Sequence, residues 1–372
     1  MKSQSLLLIG GGHSHAILLK QWARRYLSNV RLKLLNDVEQ TPYSGMLPGH
    51  VAGFYTHEET HINLPQLAEF SHADLIRDRA VGLDLEKKQV LCKQRPPLPF
   101  DYVSLDIGST PSMGEVTGAK DYAIPAKPVP IFLQHWEQFL ATVESSPNQP
   151  RNIAIVGGGA GGVELALNMQ QRLQQITNAV SIHLLQRGKE LLPQQGKWVR
   201  RKLQQLLTQR GIKLYLGEKV TEVFPDKLVC ASGMTLETDI VFWVTQATSP
   251  KWIQESGLAT DEKGFILVNE YLQSVSHPFV FAAGDIATIK NHPRPKAGVF
   301  AVRQGKPLFQ NLQRTILGKP LKPYYPQKSY LSLIGTGDKS AIASWRNLGL
   351  HHPLLWRWKD RIDRQFMAQF PN

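Results

Sequence analysis

Two copies of one sequence pattern predict an α/β fold with two parallel sheets. Each copy is a short apolar strand, a glycine-rich turn, a helix and a second strand, and the turns lie in LLLIGGGHSHA (6–16) and NIAIVGGGAGGVELA (152–166). Apolar strands connected by helices are typical of parallel sheets whose two faces are both covered. The predicted fold class is therefore α/β, with two Rossmann-like dinucleotide-binding domains and a small α+β C-terminal segment.

Length, composition and charge describe an ordinary globular protein. The 372 residues suffice for two or three domains, and 42% of them are hydrophobic. The formal net charge of +13 favours anionic partners such as phosphates. No basic run or nucleic-acid motif is present, so nucleic acid is not an expected partner. No apolar run approaches the ~18–20 residues of a spanning helix, so we expect a cytoplasmic protein, with the cytoplasmic face of a membrane as the alternative.

Cysteine and histidine usage predicts neither a redox dithiol nor a metal site. Cys92 and Cys230 are far apart in sequence, which excludes a CxxC pair and argues against a disulfide framework. His57 and His61 are four residues apart, but no Cys or His cluster with metal-ligand spacing accompanies them. No bound metal is expected.

The first glycine-rich turn has the features of a dinucleotide site, with one departure. Gly10 permits the tight turn, and Gly12 lets the backbone approach a pyrophosphate at the helix N-terminus. His15 takes the place of the third glycine. Together with His13 it is expected to donate hydrogen bonds near the phosphates. Asn36 stands where an acidic residue usually binds the ribose hydroxyls.

The second turn has complete glycine spacing but no acidic ribose partner. Gly157, Gly159 and Gly162 match the GxGxxG pattern, whereas Gln186 and Arg187 stand at the ribose position. Loss of the carboxylate beside an arginine favours a 2′-phosphate, which points to NADPH or to both nicotinamide nucleotides. The alternative is that Arg187 is an ordinary exposed loop residue.

Two further acidic residues are site candidates. Asp285, after the strand in VFAAGDIA, is expected to accept a hydrogen bond from a ribityl hydroxyl or to cap the next helix. Asp106 lies in an otherwise apolar strand. It is either a buried carboxylate with a perturbed pKa or a solvated strand residue.

Several segments together resemble a known superfamily. IGGGHSH, DYVSLDIGSTP (101–111), the second glycine turn and VFAAGDIA are similar to the two-dinucleotide flavoproteins of the pyridine nucleotide-disulfide oxidoreductase superfamily. The missing dithiol resembles its type II NADH dehydrogenases and sulfide:quinone reductases. TPYSGMLPG (41–49), SLDIGSTP and PKAGVFAVRQG (295–305) most resemble the NADH dehydrogenase-like, FAD-dependent module that is often fused ahead of selenide, water dikinase.

This resemblance implies FAD on the first turn and NADH or NADPH on the second. The residues expected at FAD are Gly10, Gly12, His13, Ser14, His15, Asn36, Pro48, Gly108, Gly284, Asp285, Lys296, Ala297 and Gly298. Those expected at the nicotinamide nucleotide are Gly157, Gly159, Gly162, Glu164, Gln186, Arg187 and Gln246. Glu164 matches the family's GxGxxGxE pattern, which places it near the junction of nicotinamide and flavin. The helix opened by Lys296, Ala297 and Gly298 is expected to point its positive N-terminus at the flavin.

The implied domains are an FAD-binding domain of residues 1–120 and 262–325, a NAD(P)H-binding domain of 121–261, and a C-terminal hairpin and amphipathic helix in 326–372. Leu355, Trp358, Ile362 and Phe366 are predicted to share one face of that helix, with basic residues around the rest. The pattern fits binding at a membrane surface. It equally fits packing against the protein body or against a second copy in a homodimer.

Departures from the family leave the electron acceptor open. Val299 and Arg303 stand where type II NADH dehydrogenases carry quinone-site glutamines, and the two cysteines do not reproduce the set of sulfide:quinone reductases. The first functional hypothesis is an FAD-dependent NAD(P)H oxidoreductase that reduces a small acceptor, either a quinone or a selenium or sulfur species. The second is an FAD-binding sensor or partner-docking protein linked to selenophosphate synthesis, with a vestigial nicotinamide site. His15, Gln186 and Gln246 favour the second hypothesis.

Overall fold

Two five-stranded parallel sheets organise the protein, whose computed structural model describes residues 3–114, 116–245 and 247–371. From edge to edge, the first sheet contains Val280–Ala282, Tyr102–Leu105, Gln4–Ile9, Val30–Asn36 and Asp74–Arg77. The second contains Ala123–Pro125, Ile240–Trp243, Arg151–Val156, Val180–Gln186 and Lys213–Leu216. In each sheet the strand that leads into a glycine turn is central, which confirms the predicted α/β class with two Rossmann-like domains.

Helices and small sheets complete the layers. The helices are His13–Arg24, Leu47–Val51, His57–Thr60, Leu64–Phe70, Ala119–Tyr122, Val129–Ser145, Ala160–Leu173, Lys197–Gln209, Lys251–Glu255, Gly298–Ile316, Pro353–Met367 and a 3₁₀ turn at Gly284–Ile286. The smaller sheets pair Gln40–Pro42 with His61–Asn63, Ala80–Asp84 with Gln89–Cys92 and Leu98–Pro99, Thr110–Pro111 with Ala247–Thr248, Val220–Val223 with Lys227–Cys230 and Thr235–Glu237, and Ile266–Val268 with Ala287–Ile289.

The helix after the first glycine turn is held against the long helix Gly298–Ile316. A Cβ on Gly305 would lie 2.6 Å from Ile17 Cβ, so the glycine permits close approach of the two helices. The Ser14 hydroxyl donates to Ala301 O at 2.7 Å across the same contact. The N-termini of both helices are thereby fixed relative to one another. Pro307 lies within the long helix, which continues beyond it to Ile316.

The C-terminal segment joins the two domains. Its antiparallel sheet, Ser332–Gly335, Ala341–Trp345 and Leu348–His352, contributes Ile334 and Ile342 to the core of the second domain. The following helix contributes Phe366 and Met367 to the core of the first domain. The segment therefore packs against both domains. Within the described residues, no helix is both long and apolar enough to cross a membrane.

Candidate active site

Asp106 fills the space around the first glycine turn. Gly10 has a φ of +91°, and a Cβ there would lie 2.5 Å from Asp106 O. A Cβ on Gly12 would lie 2.4 Å from the carboxyl carbon of Asp106. The carboxylate accepts the N–H groups of Ser14 at 2.8 Å and His15 at 3.1 Å. Asp106 is 3% exposed, and burial raises its pKa to about 7. Of the two interpretations that the sequence left open, the buried carboxylate with a perturbed pKa is therefore correct, and the solvated strand residue is wrong.

His15 has a structural role and is not the phosphate donor expected from the sequence. Its ring is fully buried, with Nδ1 2.7 Å from Gly10 O and Nε2 2.8 Å from Ser104 Oγ. Nδ1–H donates to the carbonyl, and Nε2 accepts from the hydroxyl. Burial lowers the pKa of the ring to about 4, so it stays neutral. Both ring nitrogens have protein partners, which leaves no side-chain donor for a phosphate.

The two residues expected at the ribose positions, Asn36 and Gln186, hydrogen-bond the backbone of their glycine turns. Asn36 Oδ1 accepts the N–H of Gly11 at 2.9 Å, and its amide nitrogen donates to Val38 O at 2.7 Å. In the second domain Gln186 Oε1 accepts the N–H of Gly158 at 3.0 Å. Arg187 next to it is exposed. The site lacking a carboxylate thus has an exposed cation beside it, the arrangement that accommodates a 2′-phosphate.

The second glycine turn is open to a ligand. A Cβ on Gly159 would meet nothing within 4 Å, whereas one on Gly162 would lie 1.9 Å from Gly157 O. Gly162 therefore permits close helix–strand packing, and Gly159 borders free space. No group in the described part of the chain accepts the backbone N–H groups of residues 159–162. A turn with free donors at the N-terminus of the helix Ala160–Leu173 fits a pyrophosphate.

Open space and a charged pair mark the expected FAD site in the first domain. Gly108 has a φ of +70°, and a Cβ there would meet nothing within 4 Å, so the backbone at this position is accessible to a ligand. Asp285 accepts from Lys127 Nζ at 2.7 Å and from the Ser109 hydroxyl at 3.1 Å. Burial acts to raise the pKa of Asp285, but Lys127 and Ser109 hold it below its ordinary value. A fixed carboxylate beside open backbone fits a ribityl chain.

The segment 296–298 leads into the long helix, and its lysine side chain hydrogen-bonds the strand Ala287–Ile289. Lys296 Nζ donates to Ala287 O at 2.7 Å and lies 3.9 Å from the centroid of the Phe265 ring. Burial lowers its pKa to about 8. A Cβ on Gly298 would lie 3.3 Å from Ser44 Oγ, so the helix N-terminus faces the loop that leads to Pro48. The two segments implied at the flavin are therefore neighbours.

Glu164 lies where the second domain meets the C-terminal segment. Its Oε1 accepts the N–H of Gly335 at 2.7 Å. Burial raises the pKa of this carboxyl, against the opposing charge of nearby Lys359. Lys359 Nζ in turn donates to Gly45 O at 2.5 Å and to Asp363 at 2.6 Å. Glu164 thus belongs to a polar link between the second domain, the C-terminal helix and the loop at the expected flavin end.

Lys127 and Lys359 are site residues that sequence reasoning missed. Each acts on a partner more than 150 positions away, since 158 positions separate Lys127 from Asp285 and 314 separate Lys359 from Gly45. No local motif surrounds either lysine, so only the assembled fold reveals them. His13 is half-buried, with Nε2 3.4 Å from Pro42 O and its ring edge-on to Tyr43. Gln246 lies outside the described residues.

The predicted apolar face of the C-terminal helix is only partly correct. Phe366 is buried against the first domain and stacks on Tyr43 with 4.4 Å between ring centroids. Trp358 and Ile362 instead face outward together with Leu354. Tertiary packing by Phe366 and Asp363 rotates the helix so that the exposed stripe is Leu354, Trp358 and Ile362.

A glycine turn at the end of the central strand in each of two parallel sheets is the arrangement of a protein class that binds two dinucleotides. Residues 4–305 match the pyridine nucleotide-disulphide oxidoreductase family, and the chain belongs to it. It is 23% identical over 371 residues to the NADH dehydrogenase-like protein YutJ of Bacillus subtilis, covering 96% of this chain and 99% of that one. It is 27% identical over 290 residues to the demethylphylloquinone reductase NdbB of Synechocystis, covering 73% and 69% of the two chains.

A solved structure extends this likeness to the fold. The sulfide:quinone oxidoreductase of Aquifex aeolicus superposes with a TM-score of 0.79 at 17% identity, over 99% of this chain and 92% of that one. The protein is an FAD-dependent NAD(P)H oxidoreductase without a redox-active disulfide. Its cofactor is FAD, and NADH or NADPH is its substrate. Both cysteines are free: Cys92 ends a strand of the first domain, and Cys230 is buried in the second.

Proposed function

We propose that this protein oxidises NADPH or NADH and reduces a quinone that it takes from a membrane surface. The observation that carries the proposal is that the C-terminal helix contacts the protein body with one face and exposes apolar side chains on another. One face reaches the expected flavin end, where Lys359 donates to Gly45 O. The other face exposes Leu354, Trp358 and Ile362, which are 59%, 47% and 41% accessible. A lipid-soluble acceptor and the flavin would meet at this helix.

The antiparallel sheet before this helix exposes further apolar side chains. Trp345 and Leu348 are paired across two antiparallel strands, so their side chains share one face, and Leu350 lies two positions further along it. These three side chains are 49%, 72% and 58% accessible. Arg357 and Arg361 are exposed beside the helical stripe. Apolar side chains flanked by arginines fit an anionic lipid surface.

The nucleotide sites are proposed on the two turns. FAD would lie on the first, near His13, Gly108 and Asp285. The nicotinamide nucleotide would lie on the second, with its pyrophosphate on the free N–H groups of residues 159–162 and a 2′-phosphate near Arg187. Bound FAD would supply the redox chemistry, which is hydride acceptance from the nicotinamide followed by electron transfer to the acceptor.

The chain's own residues orient and enclose the reacting groups. The N-terminus of the helix Gly298–Ile316 presents a positive dipole end to the expected flavin position. Glu164 of the second domain hydrogen-bonds Gly335 in the C-terminal sheet, and the charge of Lys359 on the C-terminal helix acts on its carboxyl group. Orientation and exclusion of water are the protein's contribution to hydride transfer, which needs no side-chain acid or base.

Disrupting the exposed stripe should lower quinone reduction at membranes but not quinone reduction in solution. We expect the double change Leu354→Glu and Trp358→Glu to lower NADPH oxidation by a long-chain quinone in anionic vesicles by about tenfold or more, because each side chain forfeits about 1.5–3 kcal/mol of apolar burial. Activity with a water-soluble short-chain quinone should stay unchanged. Both rates are read from nucleotide absorbance, together with vesicle co-sedimentation.

Phe70→Glu is the matched control, because Phe70 is 48% exposed but lies on another helix, Leu64–Phe70, in the first domain. This variant should behave as the unaltered protein on vesicles. Equal vesicle activity of the stripe variant and the control would overturn the membrane part of the proposal. Failure of every quinone to oxidise the reduced protein would overturn the quinone part.

A selenium or sulfur species is the second candidate acceptor. The segments TPYSGMLPG and PKAGVFAVRQG, which resemble the module fused to selenide, water dikinase, adjoin one another at the expected flavin end through Ser44 and Gly298. A panel containing selenite, polysulfide and quinones under identical conditions ranks the acceptors directly.

A further inference from the structure

The internal duplication shows what Asp106 adds to the first turn. Ile9 pairs with Leu105 in the first sheet, as Val156 pairs with Trp243 in the second. The next residues, Asp106 and Val244, are therefore equivalent positions. Each places its carbonyl against the first glycine of its turn, at 2.5 Å and 2.3 Å from a Cβ built there. The second domain has an apolar side chain where the first has a carboxylate.

That carboxylate occupies the donors that a dinucleotide fold normally offers to phosphate. Gly12 N–H donates to Asp106 O, and Ser14 and His15 N–H donate to its Oδ2. The equivalent N–H groups of residues 159, 161 and 162 meet no acceptor in the described part of the chain. The first turn thus contains its own anion. A carboxylate and a pyrophosphate on one helix N-terminus repel each other unless one of them is neutralised.

We propose that Asp106 couples FAD binding to proton uptake: its ionised carboxylate holds the empty turn, and it takes up a proton when the FAD pyrophosphate binds there. This inference rests on the proposed placement of FAD on the first turn. The protonated acid still accepts the N–H groups of Ser14 and His15 through one oxygen, so the turn keeps its shape while its charge is removed.

The groups around Asp106 favour such a change. Asp285 is the charge that acts on it directly, and it raises the pKa of Asp106 in addition to burial. Lys127 pairs with Asp285 at 2.7 Å, and Lys296 also acts on Asp285. His13, on the helix that Asp106 caps, is partly buried, and burial lowers its pKa. The His15 ring is neutral and bonded elsewhere. The lysines thus act on Asp285, whereas the groups that hydrogen-bond Asp106 are the N–H groups of Ser14 and His15 and the Ser14 side chain, none of which is charged.

The direction in which the Kd for FAD changes with pH follows from the linkage between FAD binding and protonation of Asp106. Without FAD, the carboxyl of Asp106 ionises as the pH rises through about 7. With pyrophosphate beside it, the pKa rises further, so FAD binding takes up a proton above that pH. The Kd for FAD should therefore rise with pH, by up to about tenfold per pH unit between the two pKa values, and be flat below the lower one.

Calorimetric titration of the flavin-free full chain with FAD tests the proposal between pH 6 and pH 9. Buffers of different ionisation enthalpy report proton uptake, and quenching of flavin fluorescence reports the Kd. We expect uptake of about one proton at pH 8 for the unaltered protein and none for Asp106→Asn. Asp106→Asn should bind FAD with a Kd that hardly changes with pH. Asp106→Ala, which also removes the charge, is the second variant.

Two control variants distinguish a failure of the proposed proton coupling from a failure of the proposed FAD placement. Asp101→Asn alters an exposed carboxylate that accepts the Ser5 N–H in the same domain, and it should keep the full pH slope. Asp285→Asn should weaken FAD binding at pH 6 if FAD lies at this site. A pH-independent Kd in the unaltered protein, or an unchanged slope in both Asp106 variants, would overturn the proton coupling while Asp285→Asn still weakens binding. Unchanged affinity in Asp285→Asn and in both Asp106 variants would overturn the placement of FAD.

Discussion

Gly162→Ala should abolish NAD(P)H-dependent activity by destabilising the second domain. A Cβ at this position would lie 1.9 Å from Gly157 O and 3.1 Å from Gly157 C. Both atoms belong to the rigid backbone of the turn, so the helix Ala160–Leu173 must move away from the sheet. We expect a loss of about 3 kcal/mol or more in the free energy of unfolding, above the usual range for overpacking because backbone cannot repack as a side chain does. Denaturant unfolding and the yield of soluble protein measure the effect.

Gly159→Ala is the matched control, three positions away on the same turn. Its φ of −77° suits alanine, and a Cβ there meets nothing within 4 Å. Stability should stay within about 0.5 kcal/mol of the unaltered protein. Affinity for the nicotinamide nucleotide should fall, because the added methyl group occupies the space that we assign to the pyrophosphate. Equal nucleotide affinity in this variant would place the ligand elsewhere.

Gln186→Glu should shift nucleotide preference towards NADH. The new carboxylate can still accept the N–H of Gly158, since Gln186 does so through Oε1. It also provides an acceptor for ribose hydroxyls and repels a 2′-phosphate near Arg187. A hydrogen bond to a charged group is worth about 1.5–3 kcal/mol, so the ratio of kcat/KM for NADH over NADPH should rise by about 10- to 100-fold.

The control for this change is Gln205→Glu, which adds the same charge at an exposed position on the helix Lys197–Gln209. It should leave the ratio unchanged. An unaltered ratio in Gln186→Glu would mean that the ribose does not approach this strand end. A matching shift in Gln205→Glu would assign the effect to the overall charge of the domain.

Features encoded in short segments were predictable from the sequence. The strand–glycine–helix pattern is local, because glycine at positive φ and an apolar strand before it leave few other conformations. Gly10 and Gly157 are examples, with φ values of +91° and +128°. Both five-stranded sheets and their family follow from these local signals.

Features that depend on through-space neighbours were not predictable. The phosphate role expected of His15 failed because Ser104, 89 positions away, hydrogen-bonds the ring within the core. Asp106 could be recognised as buried only once its strand lay beside Gln4–Ile9. The outward face of the C-terminal helix was misjudged because Phe366 stacks on Tyr43, a contact that helical periodicity alone does not reveal.

Anaerobic rapid mixing of the FAD-loaded full chain with NADPH or NADH tests the central claim most directly. We expect flavin absorbance to bleach with at least one nucleotide at a rate no slower than turnover. Subsequent mixing with a quinone should restore the absorbance at a comparable rate. Flavin that stays oxidised with both nucleotides, or reduced flavin that no quinone reoxidises at the rate of turnover, would contradict the claim.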